Sequence, residues 1–303
     1  MYYIGIDLGG TNIAVGIVNE NHEIIAKGST PTLANREPGA ILDVIAEAGL
    51  TVDDIEYAGI ATPGTADHDA GVVVYANNLP FLNYPLSDEL KKRIPFKAVY
   101  IENDANAAAL GEAVAGAAKG TTDSIMITLG TGVGGGIIID GKVYSGFNYA
   151  AAELGHMMIV ANGNPCSCGL NGCWEAYSSA TALIKSTREA MERNPDTVMW
   201  EMCEGNLANV NGRTAFNAMR QGDMVAAEVI DMYIEYLAVG IINIINIFCP
   251  EVLSIGGGIS NEKDRLLDML LPRIGMRIYS SNSPRRTLIK IAELGNEAGI
   301  IGA

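Results

Sequence analysis

Residues 2–19 read YYIGIDLGGTNIAVGIVN: an apolar strand-like run, the turn Gly9-Gly10-Thr11-Asn12, and a second strand-like run. Glycine and Asn favour a reversal between two such runs, so the segment reads as a β-hairpin, and IIAKGS beyond ENHE adds a further strand. The same pattern returns in SIMITLGTGVGGGIIIDGKVYSG, residues 124–146. Superposing Ile6-Asp7-Leu8-Gly9 on Ile127-Thr128-Leu129-Gly130 sets strand on strand and turn on turn, the signature of a duplicated unit. Between the copies, helix-like segments (Pro38–Ala48, Ser87–Ile94, Ala105–Ala118) alternate with strand-like ones (Tyr57–Ala61, Val72–Tyr75, Ala98–Glu102). Such alternation predicts an α/β protein of mixed sheets flanked by helices. After Ser178 the chain reads as largely helical. The strand VLSI, the turn Gly256-Gly257-Gly258 and a helix from Asn261 follow.

A chain of 303 residues exceeds the usual single core, so two lobes around a cleft are expected. The expected division is a smaller lobe over residues 1–106, completed by about 290–303, and a larger one over 107–289. A net charge of −15 and the lack of any Lys/Arg cluster argue against a nucleic-acid partner. An anionic ligand would then be held by backbone N–H groups and a metal ion, which directs attention to the 35 glycines. The chain opens on a strand rather than a signal peptide, and its longest apolar stretch, Tyr236 to Cys249, is too short to span a bilayer. A cytoplasmic protein with no membrane partner is the expectation, and its five cysteines point to metal binding rather than disulfides.

Two glycine turns carry the first candidate chemistry. Asp7-Leu8-Gly9-Gly10-Thr11 and Gly130-Thr131-Gly132-Val133-Gly134 let main-chain N–H groups converge on phosphate oxygens, although each turn alone could be only a tight hairpin. An Asp beside phosphates is costly unless it meets a cation, so Asp7 is assigned to Mg²⁺. Gly130 to Gly135 also spells G-x-G-x-x-G, but a strand follows where a dinucleotide site needs a helix. A side chain at Gly132 is expected to obstruct phosphate without touching the pocket for a second substrate, the sugar argued for below.

Cys166-Ser-Cys168-Gly-Leu-Asn-Gly-Cys173, with His156 upstream, supplies three thiolates and one imidazole for a closed, structural zinc site. Cys203 and Cys249 have no such company. Glu153 and Glu175 bracket the ligands; a metal clip would fix both carboxylates at its rim, where they could accept hydrogen bonds from a sugar's vicinal hydroxyls. Zinc loss is expected to abolish sugar binding and spare the glycine turns, taken as distant. Asp104, after the strand ending at Glu102, suits either a helix N-cap or a general base.

Asp7-Leu-Gly-Gly-Thr11, Glu102-Asn-Asp-Ala-Asn106, Leu129-Gly-Thr-Gly-Val-Gly-Gly-Gly136, Glu153-Leu-Gly-His156, the cysteine loop through Trp174-Glu175 and Ile255-Gly-Gly-Gly-Ile259 together resemble the ROK family, in particular its glucokinases. The resemblance runs in order along essentially the whole chain. It implies the actin-like ATPase fold, related to hexokinase and ribonuclease H, with two duplicated α/β lobes, and a homodimer or homotetramer. It implies Mg²⁺·ATP and a hexose as substrates, glucose first, with an N-acetylhexosamine kinase or a non-catalytic sugar sensor as alternatives and polyphosphate as an alternative donor. Asp104 would be the base, and Asn103, Glu153, His156 and Glu175 would contact sugar, His156 also binding zinc. Gly64 and Asn78 would line the sugar pocket, and Gly256 to Gly258 would lie against the nucleotide. The family's repressors carry an N-terminal helix-turn-helix, whereas this chain starts on a strand, so DNA binding is not expected.

Overall fold

The computed structural model describes residues 1–32, 55–76, 78–94 and 96–303. The helix expected over Pro38–Ala48, and Asn77, lie outside the described residues. The chain forms two compact units, one of Met1–Met126, Gly135–Ala152 and Ala292–Ala303, the other of Ile127–Gly134 and Glu153–Ile291. Residues 107–126 and 135–152 thus group with the N-terminal unit and not beyond a boundary at 106.

In the first unit, β1 (Tyr2–Leu8), β2 (Asn12–Asn19), β3 (Ile24–Pro31), β4 (Ile55–Thr62) and β8 (Ala98–Asn103) form a sheet of order β3-β2-β1-β4-β8. The period-two pattern turns Ile4, Ile6 and Leu8 of β1 into the core with Ile13, Val15, Ile60 and Ile101. β1 pairs antiparallel with β2 and parallel with β4, and β4 parallel with β8. The register sets Asp7 opposite Ala61, and Thr62 opposite Asn103. Three parallel carboxyl ends therefore meet at one edge of the sheet, where ligands of such sheets commonly bind. A smaller sheet joins β5 (Thr65–Asp67), β6 (Val72–Tyr75) and β7 (Leu82–Tyr84), followed by α1 (Leu86–Lys91).

The second hairpin recurs as β9 (Ser124–Leu129), β10 (Val133–Ile139) and β11 (Lys142–Val143). With β12 (Val252–Gly256) and β13 (Leu288–Ile291) it forms a sheet of order β11-β10-β9-β12-β13. Numbered from one to five in chain order, the strands of both five-stranded sheets run 3-2-1-4-5, so the duplication seen in the sequence is a duplication of topology.

α2 (Asp104–Ala115) follows β8, and the chain's last helix, α9 (Ala298–Gly302), packs on α2 and β1. Gly59 on β4 has no side chain because a Cβ there would overlap the Ala303 carbonyl. The buried carboxylate of Glu112 on α2 accepts N–H bonds from Ala117, Glu293 and Leu294, at 2.7, 3.1 and 2.8 Å, fastening the C-terminal stretch to the first unit.

The second unit is mainly helical: α3 (Glu175–Ser178), α4 (Ala180–Arg193), α5 (Met199–Met202), α6 (Thr214–Arg220), α7 (Met224–Phe248) and α8 (Asp264–Gly275). α8 starts three residues later than the sequence suggests, after a 3₁₀ turn over Gly258–Glu262. Asp223 caps α7 by accepting the Ala226 N–H at 2.8 Å. Ile234, Leu237, Ile241 and Ile245 are buried along α7 at helical spacing. Among the described residues no helix is long and apolar enough to cross a membrane.

Candidate active site

In the first unit the carboxyl edge of β1, β4 and β8 gathers the residues named from the sequence. The first glycine turn closes with the Gly9 N–H on the Asn12 carbonyl at 3.0 Å. Gly10 lies against the Asn78 side chain, with 3.1 Å between the Asn78 Cβ and the place of a Gly10 Cβ. Asn103 resolves which residue caps α2. Its Oδ1 accepts the Ala105 and Asn106 N–H groups at 3.0 and 3.1 Å, and its Nδ2 donates to the Gly64 carbonyl at 2.9 Å. Asp104 is accordingly the first helical residue and not the cap. One of its oxygens, Oδ1, accepts the Ala105 N–H at 2.9 Å.

Both carboxyls at this edge are hard to ionise. Burial, and secondarily the Asp104 charge, pushes Asp7 up to about 6. Burial also holds Asp104 above the ordinary carboxylate value, against the lowering effect of the Ala105 N–H. An Asp in this state suits a divalent cation, because a nearby positive charge restores its ionised form. Asp7 is thus a candidate ligand for a divalent cation.

In the second unit, His156, Cys166, Cys168 and Cys173 bring one ligand atom each within 4.8 Å of one another. The Cys168 and Cys173 sulfurs are 3.7 Å apart, as are the Cys166 sulfur and His156 Nδ1. Zn–S bonds of about 2.3 Å and Zn–N of about 2.0 Å in a tetrahedron place ligand atoms roughly 3.5 to 3.8 Å apart, so the donor set fits zinc. With Nδ1 on the metal side, Nε2 faces Glu153 at 4.0 Å. The chain after His156 then pairs with the returning loop: Met158 bridges Cys173, and the Trp174 N–H donates to the Met157 carbonyl at 2.8 Å. Trp174 is fully buried, its Nε1 donating to the Tyr236 carbonyl of α7 at 3.0 Å. This seats Glu175.

The second glycine turn is not distant from the zinc loop. It closes with the Gly130 N–H on the Gly132 carbonyl at 3.0 Å and is gripped from outside by residues 175–181. Glu175 Oε2 accepts the Val133 N–H at 3.0 Å, the Ala180 N–H donates to the Gly130 carbonyl at 2.8 Å, and the Thr181 hydroxyl donates to the Thr131 carbonyl at 2.8 Å. The other Glu175 oxygen, Oε1, accepts the Ser167 hydroxyl at 2.9 Å. A Cβ on Gly132 would overlap Glu175 Oε2, which corrects the expectation that a side chain there stays clear of the residues expected to bind sugar. Gly257, in the left-handed region, abuts the Leu129 backbone, with 2.6 Å to the place of its Cβ, so the Gly256-Gly257-Gly258 turn lies beside the start of the second glycine turn. Gly134 sits within β10 and Gly256 ends β12.

Three supporting residues escape sequence reading. Thr32, fully buried, donates its hydroxyl to the Gly9 carbonyl at 2.6 Å and its N–H to the Thr11 carbonyl at 2.9 Å. Glu102 Oε1 accepts the Asn103 N–H and Asn106 Nδ2 at 2.8 and 3.0 Å, while Oε2 meets His68 Nδ1 at 3.2 Å. Ser167 is the third. Its place between two cysteines was the one available signal.

Residues 3–303 match the ROK family. A glucokinase of Thermotoga maritima is 38% identical over 99% of this chain and 95% of its own length. A ROK-family glucokinase from Streptomyces griseus, solved with glucose and AMPPNP, superposes with a TM-score of 0.83 at 34% identity, covering 100% of this chain and 97% of that one. The xylose repressor of Bacillus subtilis is 31% identical over 99% of this chain and 75% of the repressor.

Proposed function

The chain belongs to the ROK family and is a sugar kinase of the actin-like ATPase fold, and from that premise we propose that it is a glucokinase, transferring the γ-phosphoryl group of ATP to the 6-hydroxyl of glucose. The observation that carries the catalytic assignment is the division of labour at the start of α2: Asn103 caps the helix, which leaves Asp104 for chemistry. With Oδ1 engaged by the Ala105 N–H, Asp104 Oδ2 is the oxygen we assign to the hydroxyl proton. Its burial above the ordinary carboxylate value makes it a stronger base than a solvated Asp once ionised.

Asn103, held by the Gly64 carbonyl and the α2 N-terminus, orients one hydroxyl of the sugar, with Gly64 and Asn78 lining the same edge. Glu153, His156 and Glu175 accept or donate to the remaining hydroxyls. The N–H groups of the two glycine turns and of Gly256 to Gly258 receive the nucleotide phosphates. Asp7 would hold Mg²⁺, which neutralises phosphate charge when bound. His156, Cys166, Cys168 and Cys173 would hold zinc, which with four protein ligands would fix the His156 tautomer and supply no chemistry of its own. A cytoplasmic, homodimeric or homotetrameric enzyme completes the reading, and sedimentation velocity checks the assembly.

The test is a panel of glucose, mannose, N-acetylglucosamine and N-acetylmannosamine, each with ATP and with polyphosphate, on purified protein. Glucose with ATP is expected to give the highest kcat/KM. A higher value on an N-acetylated sugar would replace glucokinase by hexosamine kinase, and no turnover on any sugar would leave a sugar sensor.

A further inference from the structure

The zinc loop and the second glycine turn form one hydrogen-bonded chain of groups. Cys166 and Cys168 flank Ser167, whose hydroxyl donates to Glu175 Oε1 at 2.9 Å. The opposite oxygen of the same carboxylate accepts the Val133 N–H at 3.0 Å. A carboxylate is planar and rigid, so a donor that fixes one oxygen also fixes the other. Glu175 is half-buried, and among the described residues its other partner at Oε1 is the Cys166 sulfur at 3.7 Å, a weaker restraint than the Ser167 hydroxyl. We infer that Ser167 is a positioning residue: it aims Glu175 so that the zinc loop sets the conformation of the nucleotide turn, and so that the carboxylate offered to the sugar also steadies the phosphate-binding backbone. The inference rests on the proposed role of Gly130 to Gly134 in nucleotide binding.

The consequence is thermodynamic coupling. Sugar that orders Glu175 also orders the Val133 amide, and a nucleotide that orders the turn returns the same factor to the sugar. Nothing in this link requires the zinc to contact either substrate.

The experiment uses the full, zinc-loaded chain with Ser167→Ala, Ser167→Thr and Gly130→Ala. A Cβ at Gly130 meets no atom within 4 Å, so Gly130→Ala probes the turn without disturbing the protein. The readouts are zinc content, the Kd of a non-hydrolysable ATP analogue with and without glucose, and amide exchange at Val133. Ser167→Ala is expected to keep its zinc, to speed exchange at Val133, and to weaken the analogue roughly three- to tenfold in the presence of glucose, the range of one ordinary hydrogen bond felt through the turn. Ser167→Thr, which keeps the hydroxyl, should restore all three. Unchanged exchange and affinity in Ser167→Ala would overturn the link, as would loss of zinc in parallel with the other effects, which would assign them to the metal clip. Gly130→Ala is expected to weaken the analogue. An unaltered affinity there would remove the nucleotide role of the turn itself and the inference with it, whereas a weakened Gly130→Ala beside a normal Ser167→Ala would remove only the link.

Discussion

The two glycine turns share one ancestry of pattern and differ in what holds them. Both follow a strand, both close by an N–H from their first glycine, and both open the second strand of a hairpin. The first is anchored by a residue of its own sheet's margin: Thr32, just past β3, binds the Gly9 and Thr11 carbonyls. The second is anchored from outside its hairpin, by Glu175, Ala180 and Thr181, shortly after Cys173, a proposed zinc ligand. Duplication gives two equivalent turns, and the segment that continues from the cysteine loop grips one of them. A closed donor set needs no open coordination position to act on a neighbouring turn, because hydrogen bonds from the loop that carries it can do so.

The comparison breaks first at the base. Asp104 belongs to the edge beside the first turn, so Asp104→Asn should leave nucleotide and sugar affinity close to normal and lower kcat by roughly 10² to 10⁴. Steady-state kinetics of the variant would return Asp104 to a purely structural role if kcat stayed within a few-fold of wild type. In the wild type, kcat/KM should fall as pH drops through the raised pKa of Asp104, because only the ionised carboxylate accepts a proton.

A smaller effect sharpens the electrostatics of the first turn. Burial pushes Asp7 up to about 6 in the fold, above the ordinary carboxylate range, so the folded state resists its ionisation. Its contribution to stability is full below the unfolded value and is lost as pH rises through the folded one. Asp7→Asn should therefore stabilise the magnesium-free protein at pH 8 by up to about 3 kcal/mol and by almost nothing at pH 3.5, while impairing Mg·ATP binding. Thermal unfolding at the two pH values checks this; equal shifts at both would show that Asp7 is not strained by burial.

The smallest effect isolates the anchor. Thr32→Val keeps the shape and the N–H bond to Thr11 but strands the Gly9 carbonyl, for a cost of about 1 to 2 kcal/mol. KM for ATP should rise with KM for sugar unchanged. A parallel rise in both would mean that the first turn is not separable from the sugar residues.

The legible and illegible parts of this architecture divide along sequence distance. Strand alternation in residues 2–19 and its copy are local patterns, and they carried the duplicated topology. Cys166, Cys168 and Cys173 sit within one loop, so their spacing pointed to the donor cluster that the fold brings together with His156. Asn103 and Asp104 are adjacent and both suit a cap; only the Asn103 side chain folding back onto Ala105 and Asn106 separates them. Contacts such as Glu175 with Val133, or Thr32 with Gly9, join residues with no periodic relation, and that is why the expected independence of zinc loop and glycine turn failed. Gly132 shows the same effect, because the neighbour that a side chain there would meet, Glu175, is far along the chain.

The most direct measurement is amide hydrogen exchange over both turns in the wild type and in Cys168→Ser, with zinc content followed in parallel. If the zinc loop holds the second turn alone, zinc loss will raise exchange across residues 130–134 and weaken a non-hydrolysable ATP analogue along with sugar, while residues 9–12 keep their protection. Unchanged exchange at 130–134 in zinc-free protein, or an equal rise at both turns, would contradict the account.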